Sequence, residues 1–387
     1  MKIRSQRIEG FVQSEIRAMT QACNAVGGVN LGQGICDLPA PDEVKKAAQA
    51  AIANDLSVYS RFDGEDYFRR QIAKKLKTYN KVDYDYETEI VATIGSSGAL
   101  TSTLHALTDP GDELILFEPS YGYHIFACNV SGVIPKPVTL TAPDFAIDEE
   151  ALRAAITPKT RAILVNTPSN PSGKVFTREE LQMIANICIE KNILCITDEI
   201  YEYIVYDGET HVSMASLPGM KERTITISGY SKTFSITGWR IGYAAAPKEF
   251  ALAIGLVNDL FSICAPTPLQ YGVAEAIEKL PASYYTGIRD IYQGIRDEFC
   301  GVLQEVGLTP IIPKGAYYVL FDSSRLGAAS APEAAMQLLH EAGVAGVAGS
   351  AFFSGNQGDK LLRFCYAKKP EAIAEASQRL RDWAKRH

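Results

Sequence analysis

Residues 161–201 read RAILVNTPSNPSGKVFTREELQMIANICIEKNILCITDEIY, a stretch that predicts one strand–helix–strand unit. The apolar, β-branched runs at 161–166 and 193–197 have the length of buried strands. Residues 177–191 between them have helical periodicity and begin with TREE, a capping-box sequence that marks a helix N-terminus. Apolar strands that alternate with helices form a mainly parallel sheet covered by helices on both faces, so this stretch favours an α/β fold.

The same alternation continues upstream and downstream of this unit. Further strands are predicted at 89–94, 113–117 and 224–228, with a helix at 97–107. After about residue 280 the pattern becomes α+β, with helices at 281–306 and from Pro370 and strands at 316–321 and 361–366. We therefore expect a large domain at 46–280 and a smaller α+β domain at 281–387, to which residues 1–45 contribute an N-terminal arm.

Composition and charge exclude several classes of protein. The 387 residues are 47% hydrophobic and 21% charged, which is typical of a globular protein. The net charge of −7 argues against nucleic acid or an anionic membrane as a partner. The eight cysteines form no CxxC pair and the five histidines lack metal-site spacing, so we expect reduced core thiols and no metal. The N-terminal MKIRSQRIEG lacks the apolar core of a signal peptide and no stretch resembles a membrane span, so we expect a cytoplasmic protein.

Two polar motifs follow the first and third predicted strands, where an open α/β sheet binds its ligands. GSSGA at 95–99 opens a helix, and the free N–H groups around Ser96 and Ser97 suit a phosphate. An ordinary turn and helix cap is the alternative. NTPSNPSG at 166–173 brings Asn170 to the same edge of the sheet, and here the alternative is a rigid loop without a ligand.

Two charged motifs follow the fourth and fifth strands. Asp198 ends the buried strand before Tyr201; a carboxylate there needs a cationic partner, unless it only caps a helix. The second motif, SGYSKTFSITGWR at 228–240, contains Lys232 and Arg240. An isolated lysine is ordinarily a solvated surface group, but an amine kept from water near another cation has a lowered pKa and forms a Schiff base with an aldehyde.

These groups together match the requirements of pyridoxal 5′-phosphate. The cofactor needs an amine for its aldehyde, an anion site for its phosphate, a carboxylate for its ring nitrogen and donors for its ring oxygen. The candidates, in that order, are Lys232, Ser96 and Ser97 with Arg240, Asp198, and Asn170 with Tyr201.

On these motifs the chain resembles the class I/II pyridoxal-phosphate-dependent aminotransferase family, which has the fold-type I architecture. The NPxG, DxxY and SK…R elements occur in the order of that family, with 28 residues from Asn170 to Asp198 and 34 from Asp198 to Lys232. The similarity extends from LGQG at 31–34 to LRFCYA at 362–367. It implies a mainly parallel, seven-stranded sheet in the large domain.

The resemblance also implies a role for individual residues. Lys232 would hold the cofactor as a Schiff base and then move a proton at the substrate Cα, while Asp198 would keep the ring nitrogen protonated. Asn170 and Tyr201 would hydrogen-bond to the ring oxygen. Tyr121 would stack on the ring, with an ordinary core tyrosine as the alternative.

The phosphate and substrate ends of the site are implied in the same way. Ser96, Ser97, Ser231 and Arg240 would bind the phosphate, and Tyr59 would reach the phosphate held by the neighbouring subunit of a homodimer with shared sites. Many relatives carry a serine three residues before the lysine, where this chain has Gly229, so Ser231 or Ser228 is expected to replace it.

Arg363 matches the arginine that binds the substrate α-carboxylate, because a guanidinium makes two parallel hydrogen bonds to a carboxylate. An ion pair at a strand end is the alternative. Gly34 and Asn170 would complete the carboxylate pocket, and Gly34 would let the substrate approach the backbone closely.

The activity implied is transfer of an amino group from an L-amino acid to a 2-oxo acid, with 2-oxoglutarate as the expected acceptor. A neutral or aromatic donor is favoured because Ser97 stands where the bacterial aspartate-type branch has a lysine for a second carboxylate. Ile16, Tyr121 and Phe353 are predicted to form an apolar wall for its side chain.

Three alternatives stay open at this point. They are a C–S β-lyase on the same fold, an aspartate-type aminotransferase, and a cofactor-binding transcription regulator. The regulator needs a DNA-binding segment before the fold, and some thirty residues precede Gly32. Outside the site, Lys74, Lys75 and Lys77 are predicted to form a solvated helix face.

Overall fold

The computed structural model describes residues 5–8 and 15–387, so part of the predicted N-terminal arm, residues 1–4 and 9–14, lies outside the described residues. The α-helices of the described chain are α1 Glu15–Ala25, α2 Asp42–Ala53, α3 Asp66–Lys75, α4 Gly95–Leu107, α5 Gly122–Ser131, α6 Glu149–Ala155, α7 Arg178–Lys191, α8 Lys248–Ser262, α9 Thr267–Lys279, α10 Ala282–Glu305, α11 Ala331–Ala342 and α12 Pro370–Ala384. The strands are β1 Val29–Asn30, β2 Ile90–Ile94, β3 Glu113–Glu118, β4 Ile134–Thr139, β5 Thr160–Asn166, β6 Leu194–Asp198, β7 Thr224–Gly229, β8 Ile241–Ala245, β9 Thr309–Ile311, β10 Tyr318–Asp322, β11 Val344–Ala345, β12 Val347–Ala348 and β13 Leu361–Cys365. Among these described helices, none is both long and apolar enough to cross a membrane.

A seven-stranded sheet in the order β2-β8-β7-β6-β5-β3-β4 forms the centre of the fold. From β7 to β4 the neighbouring strands are parallel, and β8 runs antiparallel to both of its neighbours. Successive strand residues face opposite sides: Ile163 packs with Ile184 of α7, and Leu164 lies in a second apolar cluster with Ile254 of α8. Both faces are therefore covered by helices, which confirms the predicted α/β fold with a mainly parallel, seven-stranded sheet.

The five strands predicted in this sheet are confirmed, each to within one residue at either end. The helix predicted at 177–191 is also confirmed, and the Thr177 side chain and Glu180 form the predicted capping box. Two strands were missed. β4 contains Pro135 and Pro137, which argue against a strand, but it lies at the sheet edge, where a missing N–H is tolerated. β8 was missed because its short IGYAA run contains a glycine and two alanines, which are uncommon in strands.

A second sheet, antiparallel in the order β12-β13-β10-β9, lies in the C-terminal part of the chain. β1 pairs in parallel with β11, so the N-terminal segment joins this part. One apolar cluster contains Tyr201, from the turn after β6, together with Tyr317 and Tyr318 at the start of β10. This cluster holds the second sheet against the strand ends of the first. The domain boundaries near residues 45 and 280 stay a prediction.

Candidate active site

A cavity of about 260 Å³ opens at the carboxyl ends of β5, β6 and β7. It is lined by all but one of the predicted site residues: Gly34, Ser96, Ser97, Tyr121, Asn170, Asp198, Tyr201, Ser231, Lys232, Arg240 and Arg363. Tyr59 is the exception, since it lies outside the cavity with 76% of its surface exposed. Of the predicted apolar wall, Ile16 and Tyr121 line the cavity and Phe353 does not.

Lys232 lies in the turn after β7, where its side chain is enclosed by aromatic rings. Nζ donates a hydrogen bond to the Gly34 carbonyl at 3.3 Å, and the ring centroids of Tyr201 and Tyr317 lie 5.9 and 5.8 Å from it. Burial lowers the pKa of Lys232 by more than Cys36, Cys365 and Asp198 raise it, and the nearby Arg240 charge adds to the lowering. A larger share of the amine is therefore neutral and nucleophilic than in a solvated lysine.

Asp198, the last residue of β6, is held by two donors and still faces the cavity. Its Oδ2 lies 3.1 Å from Nε2 of His124 on α5, and its Oδ1 accepts from the Ile200 N–H at 3.2 Å. Each carboxylate oxygen has a second lone pair, so Asp198 can also accept a hydrogen bond from a group in the cavity. His124 was not among the predicted site residues. The one sequence feature that could have indicated it is its position three residues after Tyr121.

The Tyr201 hydroxyl lies 3.0 Å from the Tyr318 hydroxyl inside the cavity. Burial raises the pKa of Tyr201 well above its usual value, so the phenol keeps its proton and can donate it in a hydrogen bond. Tyr318 also explains why residue 34 is a glycine. A Cβ at Gly34 would lie 2.0 Å from the Tyr318 hydroxyl oxygen. The glycine therefore accommodates Tyr318, and its second expected role, close approach of the substrate to the backbone, stays a prediction.

A positive site forms where Arg240 meets the first turn of α4. Ser96 and Ser97 lie in that turn, whose free N–H groups favour an anion. Arg240 has a left-handed backbone with φ of 57°, and its Nη1 donates to the Thr237 carbonyl at 2.9 Å. Thr237 also lines the cavity, although it was not predicted. The site has the charge and the donors that a phosphate requires.

Residue 229 is a glycine, where many relatives have a serine, for a steric reason. A Cβ at this position would lie 2.8 Å from the Ile241 carbonyl oxygen of the adjacent β8, so a serine would not fit without a backbone shift. Of the two expected replacements, Ser231 lines the cavity. The Ser228 hydroxyl instead donates to the Glu199 carbonyl at 3.2 Å. The structure thus favours Ser231 over Ser228.

Arg363 of β13 is 1% exposed and is fixed by polar and aromatic contacts. Its Nη1 donates to Oδ1 of Asn170 at 3.0 Å, and its Nη2 donates to the Gly32 carbonyl. The rings of Tyr318 and Phe352 lie 4.5 and 4.8 Å from its Cζ. Because Oδ1 of Asn170 is used by Arg363, the amide offers Nδ2, a donor, to the cavity. Within residues 5–8 and 15–387, no carboxylate pairs with Arg363, in contrast to the alternative of a strand-end ion pair.

Behind the turn that carries Asp198 and Tyr201, two buried carboxylates form a polar network. Glu202 pairs with Lys75, and its Oε2 accepts from Asn80 at 2.8 Å. Glu199 Oε2 lies 2.9 Å from His211 Nε2. The prediction of a solvated Lys75 is wrong: the residue is 5% exposed, because Glu202 offsets the cost of burying its charge.

The carboxylates of Glu199 and Glu202 and the His211 imidazole lie close enough to share a metal ion. However, the ammonium of Lys75 and the amide of Asn80 already donate to these carboxylates. The cluster is therefore a hydrogen-bonded network in which the donors take the positions that a metal would need.

The sequence analysis did not assign eight residues that line the cavity: Arg17, Gln33, Ile35, Tyr123, Asn166, Ile200, Thr237 and Tyr318. Tyr318 had a weak signal, because it belongs to an aromatic predicted strand, and Thr237 belongs to the TGWR block next to Arg240. Arg17, in the first turn of α1, had no sequence signal, since its place at the cavity depends on how the N-terminal helix packs.

The donor set fits pyridoxal phosphate. Lys232 supplies the amine, Asp198 an acceptor for a protonated ring nitrogen, and Tyr201 and Asn170 donors for a ring oxygen. Arg240 at the first turn of α4 supplies the anion site; like Arg363, it has no carboxylate partner among the described residues. The guanidinium groups of Arg240 and Arg363 match a ligand set with a phosphate and a carboxylate.

Comparison with known proteins agrees with this reading of fold and cavity. A family model for aminotransferase class I and II matches residues 26–380. The probable N-succinyldiaminopimelate aminotransferase DapC of Mycobacterium tuberculosis is 34% identical over 98% of this chain and 98% of its own length. Kynurenine–oxoglutarate transaminase 3 of Rattus norvegicus is 33% identical over 99% of this chain and 90% of its own. The structure of YbdL from Escherichia coli, described with a methionine aminotransferase function, matches with a TM-score of 0.95 at 29% identity, covering 99% of this chain and all of that one.

Fold and site thus define a transaminase that uses pyridoxal phosphate. The chain belongs to the class I and II aminotransferase family, which confirms the resemblance found in its sequence.

Proposed function

We propose that this transaminase moves the amino group of a neutral or aromatic L-amino acid to 2-oxoglutarate, with Lys232 as the covalent anchor of the cofactor. One observation carries the proposal: a single cavity holds an amine, a carboxylate and two guanidinium groups that lack carboxylate partners in the described chain, namely Lys232, Asp198, Arg240 and Arg363. Each matches one group of the cofactor or of an α-amino acid.

Four residues hold the cofactor ring in this proposal. When bound, pyridoxal phosphate supplies an aldehyde that condenses with amines and a conjugated ring that takes up electron density from the substrate Cα. Asp198 holds a proton on the ring nitrogen, and His124 at 3.1 Å orients the carboxylate. The Nδ2 of Asn170 and the hydroxyl of Tyr201 donate to the ring oxygen, and Tyr121 packs on the ring face.

The phosphate is bound by Arg240 with the N–H and hydroxyl groups of Ser96 and Ser97, and by Ser231. A guanidinium opposite a helix N-terminus favours a doubly charged anion from both sides. Since these groups come from α4 and from the turn after β7, they fix the cofactor relative to Lys232.

Lys232 Nζ, once displaced by the incoming amino group, takes the proton from the substrate Cα. Its lowered pKa supports this role, because a base must be neutral to accept a proton. The Gly34 carbonyl, 3.3 Å from Nζ, keeps the amine next to the substrate side of the cavity.

Arg363 binds the substrate α-carboxylate. Its contacts with Asn170 and Gly32 fix the guanidinium plane, and a fixed plane favours bidentate binding over a loose ion pair. Asn170 also bonds the cofactor oxygen in this proposal, so one amide joins the substrate clamp to the cofactor.

The neutral or aromatic preference rests on the walls of the substrate end. Ile16, Ile35, Tyr121, Tyr123 and Tyr318 line the cavity and provide apolar surface for a side chain. Ser97 leaves the phosphate loop without a lysine that could bind a second carboxylate there. The names of relatives, which include kynurenine and aromatic-amino-acid transaminases, agree with such a donor.

We also propose a homodimer with shared sites. Tyr59 and Val58 are each 76% exposed, and the neighbouring α8 exposes Leu256, Leu260 and Phe261. Several large apolar side chains exposed in this way are typical of a protein interface. In the dimer, Tyr59 would reach the phosphate site of the second subunit.

We propose that the protein is located in the cytoplasm. Its eight unpaired thiols support this location, because disulfides are rare in that compartment.

We also propose that the chain has a large domain at 46–280 and a small domain at 281–387, with an N-terminal arm at 1–45.

Product analysis tests the proposed reaction against the β-lyase alternative. Holoenzyme with methionine or phenylalanine and 2-oxoglutarate is expected to form glutamate and the matching 2-oxo acid in equal amounts. Release of pyruvate and ammonia from a cysteine S-conjugate without any acceptor, and no glutamate, would establish the lyase instead. Activity restricted to aspartate would contradict the proposed donor.

A further inference from the structure

Three guanidinium groups line the active-site cavity, and the proposed function uses two of them. Arg240 serves the cofactor phosphate and Arg363 the α-carboxylate. The third, Arg17, lies in the first turn of α1 and lines the cavity together with Ile16 and Ile35. An arginine keeps its charge at any working pH, so Arg17 adds a permanent positive charge to the cavity.

Arg17 has no counterion in its surroundings. Within the described part of the chain it makes no hydrogen bond, ion pair or ring contact, and Glu15, two residues earlier, does not pair with it. Asp198, the acidic residue that lines the cavity, is held by His124 and the Ile200 N–H. Arg17 therefore has all five of its N–H donors available for a ligand.

The chemistry of the reaction supplies an anion for this position. Donor and acceptor occupy the same cavity in turn, so one set of walls must accept both. A neutral or aromatic donor brings one carboxylate, which Arg363 binds. A dicarboxylic acceptor brings a second carboxylate at the far end of its chain, away from Arg363.

We infer that Arg17 is the specificity residue for the acceptor and binds the distal carboxylate of a dicarboxylic 2-oxo acid such as 2-oxoglutarate. This inference rests on the proposed function and adds the residue that selects the acceptor. It also separates the cavity into two subsites: Arg363 for the carboxylate that every substrate carries, and Arg17 for the one that only the acceptor carries.

The exposure of Arg17 allows both kinds of substrate to bind. An exposed arginine stays hydrated when the donor is neutral, so the donor pays no penalty for an unpaired buried charge. Its long, exposed side chain can turn toward a carboxylate when one is present. A cation buried as deeply as Arg363 would instead exclude neutral donors.

The test is a half-reaction that needs no donor. Enzyme loaded with pyridoxamine phosphate is mixed with 2-oxoglutarate or with 2-oxohexanoate, a monocarboxylic acid of similar length, and the single-turnover kcat/KM is measured. Arg17→Gln is expected to lower the value for 2-oxoglutarate by about 10- to 100-fold, the loss of a charge-assisted contact, and to change that for 2-oxohexanoate less than about twofold. Arg178→Gln, an exposed arginine on α7, is the matched control and is expected to change neither.

Binding of the unreactive acids glutarate and pentanoate gives a second measurement. Glutarate is expected to raise the melting temperature of wild-type holoenzyme more than pentanoate does, and Arg17→Gln should remove that difference. Arg17→Lys, which keeps the charge, should restore part of it.

Equal losses for both acceptors, or no loss for either, would overturn the inference. Failure of the proposed function looks different: wild-type enzyme would then form no glutamate from any neutral donor, whatever the half-reaction shows.

Discussion

The two sides of the turn after β6 differ in how their buried polar groups are bonded. On the cavity side, Asp198 and Tyr201 each leave hydrogen-bonding capacity directed at the cavity. On the opposite side, every carboxylate oxygen of Glu199 and Glu202 accepts from at least one protein donor. Those donors are Thr197, Ser213, Asn80 and His211 for Glu199, and Lys75, Asn80 and Ser228 for Glu202.

This difference shows that burial and residue type do not by themselves mark a functional group. All four residues are buried or nearly so, and three of them are carboxylates. Burial alone would raise the pKa of Glu199, but the His211 and Lys75 charges and the bond from Ser213 lower it. The back of the turn is thus a closed ionic network that stabilises the fold, and the front is open for a ligand.

If this comparison holds, changes on the cavity side should remove activity and leave stability unchanged. The largest effect is expected for Lys232→Ala, which removes both the covalent anchor and the base. Turnover should fall by about 10⁴-fold or more. After borohydride treatment, mass mapping should find no cofactor on residue 232, and the melting temperature should match that of the wild type. Lys45→Ala, at an exposed lysine, is the control, and full activity of Lys232→Ala would refute its role.

Behind the turn, we expect substitutions to lower the stability of the fold. Lys75→Met leaves the Glu202 carboxylate buried without its cation, which should lower the free energy of unfolding by about 3–5 kcal/mol. Urea unfolding measures this loss, and Lys74→Met on the exposed side of the same helix should change it little. A double variant, Lys75→Met with Glu202→Gln, should recover part of the loss. Equal stability of Lys75→Met and Lys74→Met would contradict the network.

Asp198→Asn tests the cavity side more finely, because the shape of the side chain is kept and its charge is lost. Activity should fall by about 10²- to 10³-fold, since the ring nitrogen loses the carboxylate that favours its protonated form. The melting temperature should stay the same or rise, as is common when a functional charge is removed. A fall in stability as large as that of Lys75→Met would place Asp198 with the structural residues.

The smallest effect concerns pH. The neutral amine of Lys232 is the form that reacts with an aldehyde, and its pKa is lowered by burial. Capture of the cofactor by apoenzyme should therefore quicken as pH rises, with a midpoint below that of a free lysine at about 10.4. Stopped-flow absorbance measures the rate. A midpoint at or above the free value would mean that Lys232 is not desolvated.

The sequence predicts the central sheet well because its strands are marked by local apolar runs between turns. It also identifies Lys232, Asp198 and Asn170 as site candidates, since each follows such a strand. It fails where a residue's environment comes from distant segments. Lys75 meets Glu202, 127 positions later, and helical periodicity alone gives no sign of that pairing. Arg17 and His124 likewise join the site only through packing of α1 and α5.

The short segment after β1 gives the site a fixed internal distance. The Gly32 carbonyl accepts from the Arg363 guanidinium, and the Gly34 carbonyl, two peptide units on, accepts from Nζ of Lys232. The segment is itself anchored where the Cys365 N–H donates to the Leu31 carbonyl at 2.6 Å. Two peptide units therefore separate the carbonyl that holds Arg363 from the carbonyl that holds Lys232, and inserting one residue in this stretch would shift the two contacts relative to each other.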